Sequence, residues 1–326
     1  MPLLEAIDLV KHFPVRRGVF AREVGAVRAV DGVAFTIEPG RTLGLVGESG
    51  CGKSTTAKLV LKLEEPTAGS MNFQGRNLAD LDAAGLSAYR RSVQAVFQDP
   101  YASLNPRMRV GAIIAEPLVT NERLSRAEVD RRVLRLLELV GLPERSRDLF
   151  PHEFSGGQRQ RIAIARSLAL EPKLVVLDEP VSALDVSIRA QILNLLRDLQ
   201  ARLGLAYLFI AHDLAAVAHM SHTVAVMYLG KIVEVGDARV IATRPKHPYT
   251  QALFSAALPT HPAEQREEIV LPGEVPSPLN PPGGCRFHPR CPQAMARCAN
   301  DEPKLQAVNG RQTACHLYDV IPPSIG

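Results

Sequence analysis

The chain has 326 residues, 46% of them apolar and 22% charged, the balance of a globular protein rather than a disordered one. Its 38 basic and 34 acidic residues leave a net charge of +4, and no dense basic run accompanies that small excess, so nucleic acid is not expected as a partner. This length gives room for one large domain with a small appendage, or for two modest domains. The longest clean apolar run, "LGLAYLFIA" at 203–211, ends at His212 and Asp213, far short of the roughly 20 residues that cross a bilayer. The opening "MPLLEAIDLV" lacks the basic region, apolar stretch and small-residue cleavage site of a secretory leader. The expectation is a cytosolic protein whose work at a membrane goes through partners.

The first informative stretch is "RTLGLVGESGCGKSTTAKLVLKL" (41–63). It reads as a buried strand over Leu43–Val46, a glycine loop, and a helix with apolar spacing at Ala57, Val60 and Leu61. Its core, "GESGCGKS", fits G-x-x-x-x-G-K-[ST] after a strand and at the start of a helix. Gly47, Gly50 and Gly52 let the backbone curl so that successive amides point at phosphate, aided by the helix N-terminus. Lys53 is placed for β and γ phosphates and Ser54 for Mg²⁺, while Ser49, Cys51 and Thr55 lie in the same phosphate-binding run.

Residues 100–168 read as mostly helical, an insertion into a sheet domain. Within them "SRAEVDRRVLRLLELVG" predicts a helix with a Ser125 cap, Glu128 at the capping-box position and a Gly141 stop. "FSGGQ" then opens the helix "QRQRIAIARSLAL", whose free N-terminal amides attract an anion. "KLVVLDEP" (173–180) is a continuous apolar strand ending in Asp178 and Glu179. With a phosphate loop in the same chain, the first acid is a candidate Mg²⁺ holder and the second a candidate general base. "VSIRAQILNLLRDLQARLG" places Ile188, Ile192, Leu195, Leu196 and Leu199 on one helical face, with Gly204 as its stop. "LAYLFIAHD" (205–213) is another buried strand, ending in His212. Strands alternating with helices, polar at their carboxyl ends, predict a parallel α/β sheet with its ligand site at that edge.

"MYLGKIVEVGD" predicts a strand pair turning near Gly230, after which seven prolines lie between 259 and 282. Residues 1–284 contain one cysteine, Cys51, whereas 285–315 contain Cys285, Cys291, Cys298 and Cys315, spaced C-x5-C-x6-C-x16-C. In a reducing compartment four such thiols point to coordination of Zn²⁺ or an iron–sulfur cluster rather than to disulfides, and the spacing does not choose between them.

"GESGCGKST", Gln98 in "AVFQDP", "FSGGQ", "VVLDEP", "SALD" and His212 in "IAHD" follow the order and spacing of ATP-binding cassette transporter ATPases, a resemblance running from about residue 4 to 256. It implies a P-loop NTPase cassette: an α/β fold with a parallel core sheet, an antiparallel β subdomain and a helical subdomain at about 100–168. The cassette would span 1–257, and a proline-rich linker with a small cysteine-bearing extension would span 258–326. By the same resemblance Gln98, Glu179 and His212 form the catalytic set, with Mg²⁺ held by Ser54, Gln98 and Asp178. Phe13 in "KHFPV" would stack on adenine. Ser155, Gly156, Gly157 and Gln158 would complete the site of a neighbouring cassette, with Ser182 and Asp185 along the seam. Phe154 stands where the commonest family version has Leu.

"QDPYASLNPRMRVG", "HPYTQALFSAALP" and "GCRFHPRCP" are similar to ATPases of oligopeptide, dipeptide and nickel importers. That resemblance tips the cysteines toward a [4Fe–4S] cluster, with Zn²⁺ the alternative. It also implies a second ATPase subunit, two permeases and an extracytoplasmic solute-binding protein, at the cytoplasmic face of the membrane. A heterodimer is the first expectation and a homodimer the second. The resulting reading is an ATPase subunit of a peptide importer. The alternatives are import of nickel or another small solute, and a cassette ATPase without a transport role.

Overall fold

The computed structural model describes residues 1–17, 22–98, 103–256 and 269–319. The chain forms two compact units: Met1–Leu4, Ile37–Thr42 and Asn72–Ala211 in one, and Glu5–Thr36, Leu43–Met71 and His212–Gly326 in the other.

In the first unit three parallel strands lie side by side. Val93–Val96 pairs with Leu174–Asp178 from Val93↔Leu174 to Val96↔Leu177, and the latter pairs with Ala206–Ile210 through to Asp178↔Ile210. Ala206–Ile210 is buried at every position, which explains a continuous apolar run in place of alternation. The helices Ala83–Ser92, Val110–Asn121, Arg126–Leu139, Gly156–Leu168 and Val186–Leu203 belong to the same unit. Ser125 caps its helix by accepting from the Glu128 amide at 3.2 Å, and Gly141 at φ +69° follows its end. The Glu128 carboxylate turns to Arg132, 3.3 Å away, instead of closing the reciprocal box. Val186–Leu203 buries Ile192, Leu193, Leu196 and Leu199, so Ile188 and Leu195 lie at the margins of the predicted face.

Most of the long strands Leu4–Arg17 and Arg22–Ile37 lies in the second unit; they are neighbours in a four-stranded sheet that also includes Ala68–Phe73 and, antiparallel to it, Arg76–Asn77. Thr42–Val46 runs parallel to Thr223–Tyr228, from Leu43↔Thr223 to Val46↔Val226. That strand turns at Leu229–Gly230 into the antiparallel Lys231–Asp237, with an irregularity between Ile232 and Glu234. The cysteine-bearing segment joins the same layer. Arg311–Thr313 pairs with Lys231–Asp237 at Glu234↔Thr313, and Gln306–Val308 pairs outside it. Glu234 is fully buried and accepts from the Lys246 and His247 amides, each at 2.9 Å, while Arg311 lies 3.5 Å from its carboxylate. A carboxylate removed from water is tolerated only with such partners. Among the described residues no helix is long and apolar enough to cross a membrane.

Candidate functional site

The strand Thr42–Val46 is buried throughout and delivers the chain directly into the glycine loop, after which Lys53–Val60 is helical. The helix buries Ala57, Leu59 and Val60; Leu61 forms its C-cap and is half-buried, so Leu59 takes the inward position expected of Leu61. The loop lies very close to neighbouring backbone. A Cβ on Gly52, at φ +112°, would stand 2.1 Å from the Ala29 carbonyl oxygen, which no side chain can accept. At Gly50, by contrast, the space a Cβ would enter holds no atom within 4 Å. The helix N-cap is Gly52, with no side chain closing its amides. Lys53 folds into the curl, its Nζ donating to the carbonyls of Gly47 (2.7 Å) and Glu48 (3.0 Å) with Cys51 Sγ at 3.7 Å. Ser49, Gly50 and Ser54 are exposed and Thr55 is half-buried. An open, uncapped helix start with an ammonium at its centre fits a polyphosphate. Cys51 is buried, and burial pushes its thiol pKa up, consistent with packing.

Residues that the sequence did not single out hold this loop. The Tyr249 hydroxyl accepts from the Glu48 amide at 2.8 Å, and Arg290 donates to the Glu48 carboxylate at 2.8 Å. The Gly230 amide donates to the Cys51 carbonyl at 2.8 Å. His247 is buried and accepts from the Tyr249 amide at 3.1 Å; burial holds its pKa down at about 3, so it is neutral. The signal for these residues lay in "HPYTQALF" and "GCRFHPRCP", read only as marks of resemblance. Phe13 is half-buried, with Lys11 Nζ 5.0 Å from its ring centre. His212 is exposed, and the following Asp213 caps the helix Leu214–Met220 by accepting from the Ala215 and Ala216 amides at 3.0 and 3.1 Å.

The other unit carries Gln98, Asp178, Glu179 and the second glycine turn. Gln98 is exposed, two residues past the strand Val93–Val96, and Asp178 ends the strand beside it. Glu179 adopts φ +52°, uncommon for a residue with a side chain. Its amide donates to the Ile210 carbonyl at 2.8 Å, and its carbonyl accepts the Ser182 hydroxyl at 3.1 Å. Asp185 is the N-cap residue of Val186–Leu203. Ser155 caps Gly156–Leu168 by accepting from the Gln158 amide (3.4 Å), while Gln158 Oε1 accepts from the Ser155 amide (3.0 Å). The N-terminal amides expected to be free are thus partly satisfied within the motif. Ser155 and Gln158 are exposed, Gly156 is half-buried and Gly157 is buried. A Cβ on Gly157 would meet Ile188 Cγ2 at 2.4 Å, so helix packing explains that glycine. Phe154 is buried, as an apolar residue there should be.

All four cysteines of the C-terminal segment are free thiols. Burial is the largest influence on Cys285 and Cys315, pushing each up to about 11, and both also feel the neighbouring thiols. Among the described residues no group of three or more His, Cys, Asp or Glu side chains is placed to hold a metal ion. The expected coordination by Cys285, Cys291, Cys298 and Cys315, whether of zinc or of an iron–sulfur cluster, therefore finds no support in this geometry. His316 commits both ring nitrogens, to Asp319 (2.7 Å) and to the Asp301 carbonyl (2.9 Å), and His288 Nδ1 lies 2.9 Å from the Cys285 carbonyl.

A buried strand, a phosphate-shaped glycine loop and a lysine-led helix define a P-loop nucleotide-binding protein. Comparison with known proteins narrows the class. A family model described as ABC transporter matches residues 30–182, and one described as the C-terminal region of oligopeptide/dipeptide transporters matches 233–298. The chain is 52% identical over 319 residues to the dipeptide transport ATP-binding protein DppF of Haemophilus influenzae, covering 98% of this chain and 97% of that one. It is 50% identical to the oligopeptide transport ATP-binding protein AppF of Bacillus subtilis, covering 97% of each. Among solved structures, the dimeric, post-hydrolysis cassette MJ0796 bound to ADP and Pi aligns with a TM-score of 0.63 at 28% identity, over 72% of this chain and 99% of that one. The chain belongs to the ABC transporter family, as a cassette ATPase subunit.

Proposed function

We propose that this chain is the ATP-hydrolysing subunit of an importer for dipeptides and oligopeptides, acting at the cytoplasmic face of the membrane as a partner of two permeases. Residues 1–257 form the cassette in this reading, and 258–326 its C-terminal extension. The observation that carries it is near end-to-end similarity to peptide-transport ATP-binding proteins, in a chain whose phosphate loop is open at Gly50 and centred on Lys53.

Each residue has a defined task. Lys53 leaves the Gly47 and Glu48 carbonyls for the β and γ phosphates, exchanging neutral acceptors for charged ones, the stronger class of hydrogen bond. Glu179 accepts a proton from the attacking water, a role worth roughly 10²–10⁴ in rate. Gln98 and His212 orient that water and the γ-phosphate, and Phe13 stacks on adenine. Mg²⁺, when bound, neutralises phosphate charge, and Ser54, Asp178 and Gln98 are the residues that would hold it. Ser155, Gly156, Gly157 and Gln158 act on nucleotide in a second cassette, with Ser182 and Asp185 along the seam. That second cassette is a sister ATPase, and an extracytoplasmic solute-binding protein delivers the cargo.

The iron–sulfur reading of Cys285, Cys291, Cys298 and Cys315 rests on resemblance alone, and among the described residues no group of three or more ligating side chains is placed to hold a metal ion. Iron and acid-labile sulfide analysis after anaerobic purification decides it: about four iron atoms per chain supports the cluster, and none removes it. The transport reading is tested by purifying the tagged chain from its host. Two polytopic permeases should accompany it, and ATP turnover of the complex should rise with a peptide-loaded binding protein. Stimulation by nickel and not by peptide, or the absence of permeases, overturns it.

A further inference from the structure

We propose that Arg290 is a positioning residue for the phosphate loop: the turn between Cys285 and Cys291 acts as a brace that holds Glu48, and with it the amide run that receives ATP. This inference rests on the reading of residues 47–55 as the ATP site.

The brace is one hydrogen-bonded turn with an aromatic anchor. Cys285–Cys291 contains a short 3-10 turn at His288–Arg290, closed by the His288 amide on the Cys285 carbonyl (3.0 Å) and the Cys291 amide on the His288 carbonyl (3.2 Å). Phe287, 1% exposed, anchors it against Tyr228, Tyr249 and His247 at ring-centre distances of 5.3, 5.4 and 5.7 Å. Flanking that anchor, Arg286 and Arg290 reach the loop by separate routes. Arg290 pairs directly with the Glu48 carboxylate. Arg286 pairs with Asp31 and donates to the Leu229 carbonyl, at the turn whose Gly230 amide holds the Cys51 carbonyl.

Glu48 is consequently fixed at three points: its amide by Tyr249, its carbonyl by Lys53 and its carboxylate by Arg290. ATP must recruit Lys53 to its phosphates, which removes the second tie when the loop has to keep its shape. Arg290 remains. It also neutralises a carboxylate that sits within the phosphate-receiving loop, where an unpaired negative charge would repel the ligand. Both effects act on nucleotide binding and neither on the chemical step.

The experiment measures steady-state turnover and Mg-ATP affinity in the assembled complex for Arg290→Met, Arg290→Lys, Glu48→Gln and the Glu48→Gln/Arg290→Met pair. Arg290→Met should raise KM for ATP at least about tenfold with kcat nearly unchanged, the loss expected for a hydrogen bond to a charged group. Arg290→Lys should recover part of it. The double variant should lie closer to wild type than Arg290→Met alone, because no carboxylate is left unpaired. An unchanged KM, a fall in kcat alone, or additive single effects would overturn the inference. If Arg290→Met does not fold, Arg290→Lys and Glu48→Gln give the same test through their KM-against-kcat split. Lys53→Ala separates this inference from the reading beneath it. Undiminished ATP binding in Lys53→Ala sinks the assignment of the loop, whereas its loss beside an unaffected Arg290→Met sinks only the brace.

Discussion

Two glycine-bearing helix starts in this chain obey the same electrostatics and are finished differently. At Lys53–Val60 the cap is Gly52, no side chain closes the amides, and space is open at Gly50. At Gly156–Leu168 the cap is Ser155, locked reciprocally with Gln158. The first start is left open, and Lys53, the counter-charge for an anion there, rests on the Gly47 and Glu48 carbonyls. The second is partly closed by its own side chains and offers exposed Ser155 and Gln158 side chains at its tip. The difference teaches that glycine content alone does not make a phosphate cradle. What the loop's own side chains do with the first amides decides how many of them remain for an anion.

The largest test of this contrast removes chemistry and leaves both helix starts intact. Glu179→Gln should lower kcat by roughly 10²–10⁴ while ATP still binds the loop around Lys53, read by single-turnover hydrolysis beside a binding titration. Retained turnover would deny Glu179 its role as base. Next comes the packing of the second start. Gly157→Ala puts a methyl 2.4 Å from Ile188 Cγ2 and should cost about 1–3 kcal/mol in denaturant unfolding. Ile188→Ala in the same chain should return part of that loss. A smaller effect is expected at a helix start with no ligand role: Ser125→Ala should cost about 1 kcal/mol without changing KM for ATP.

The smallest effect follows acid. Burial alone would raise the Asp31 pKa, but the hydrogen bond with His12 and the charge and hydrogen bond of Arg286 outweigh it, with Lys231 adding to the lowering. A folded-state pKa below the unfolded one gives stability that is present above the ordinary carboxylate range and disappears as pH falls through the folded value. The Tm advantage of wild type over Asp31→Asn should therefore be constant near neutrality and shrink below about pH 4. An advantage that grows in acid contradicts the assignment.

Local regularity explains what could be read directly. "LVVLD" and "AYLFI" announce buried parallel strands because both faces of such strands exclude water, and Gly141 and Gly204 mark helix ends through their left-handed conformations, at φ +69° and +67°. The phosphate loop is likewise a local motif. The brace is not. Glu48 and Arg290 stand 242 positions apart, and each alone reads as one more charged loop residue. Tyr249 contributes through a single hydroxyl that no period reveals. Leu59 is inward instead of Leu61 because the helix ends at Val60 and leaves Leu61 at its cap. The unmet coordination at Cys285, Cys291, Cys298 and Cys315 shows the reverse limit: spacing identified a cluster of thiols but not a ligand geometry.

The most direct measurement compares ATP binding by the isolated chain with ATP turnover by the assembled transporter when Ser155 is replaced by Arg. The account predicts unchanged affinity for a fluorescent ATP analogue at this chain's own loop, with turnover in the complex falling by on the order of 10², the scale of a lost transition-state contact. Turnover at wild-type level, or affinity lost in proportion to turnover, would contradict the claim that this helix start serves a nucleotide held by its neighbour.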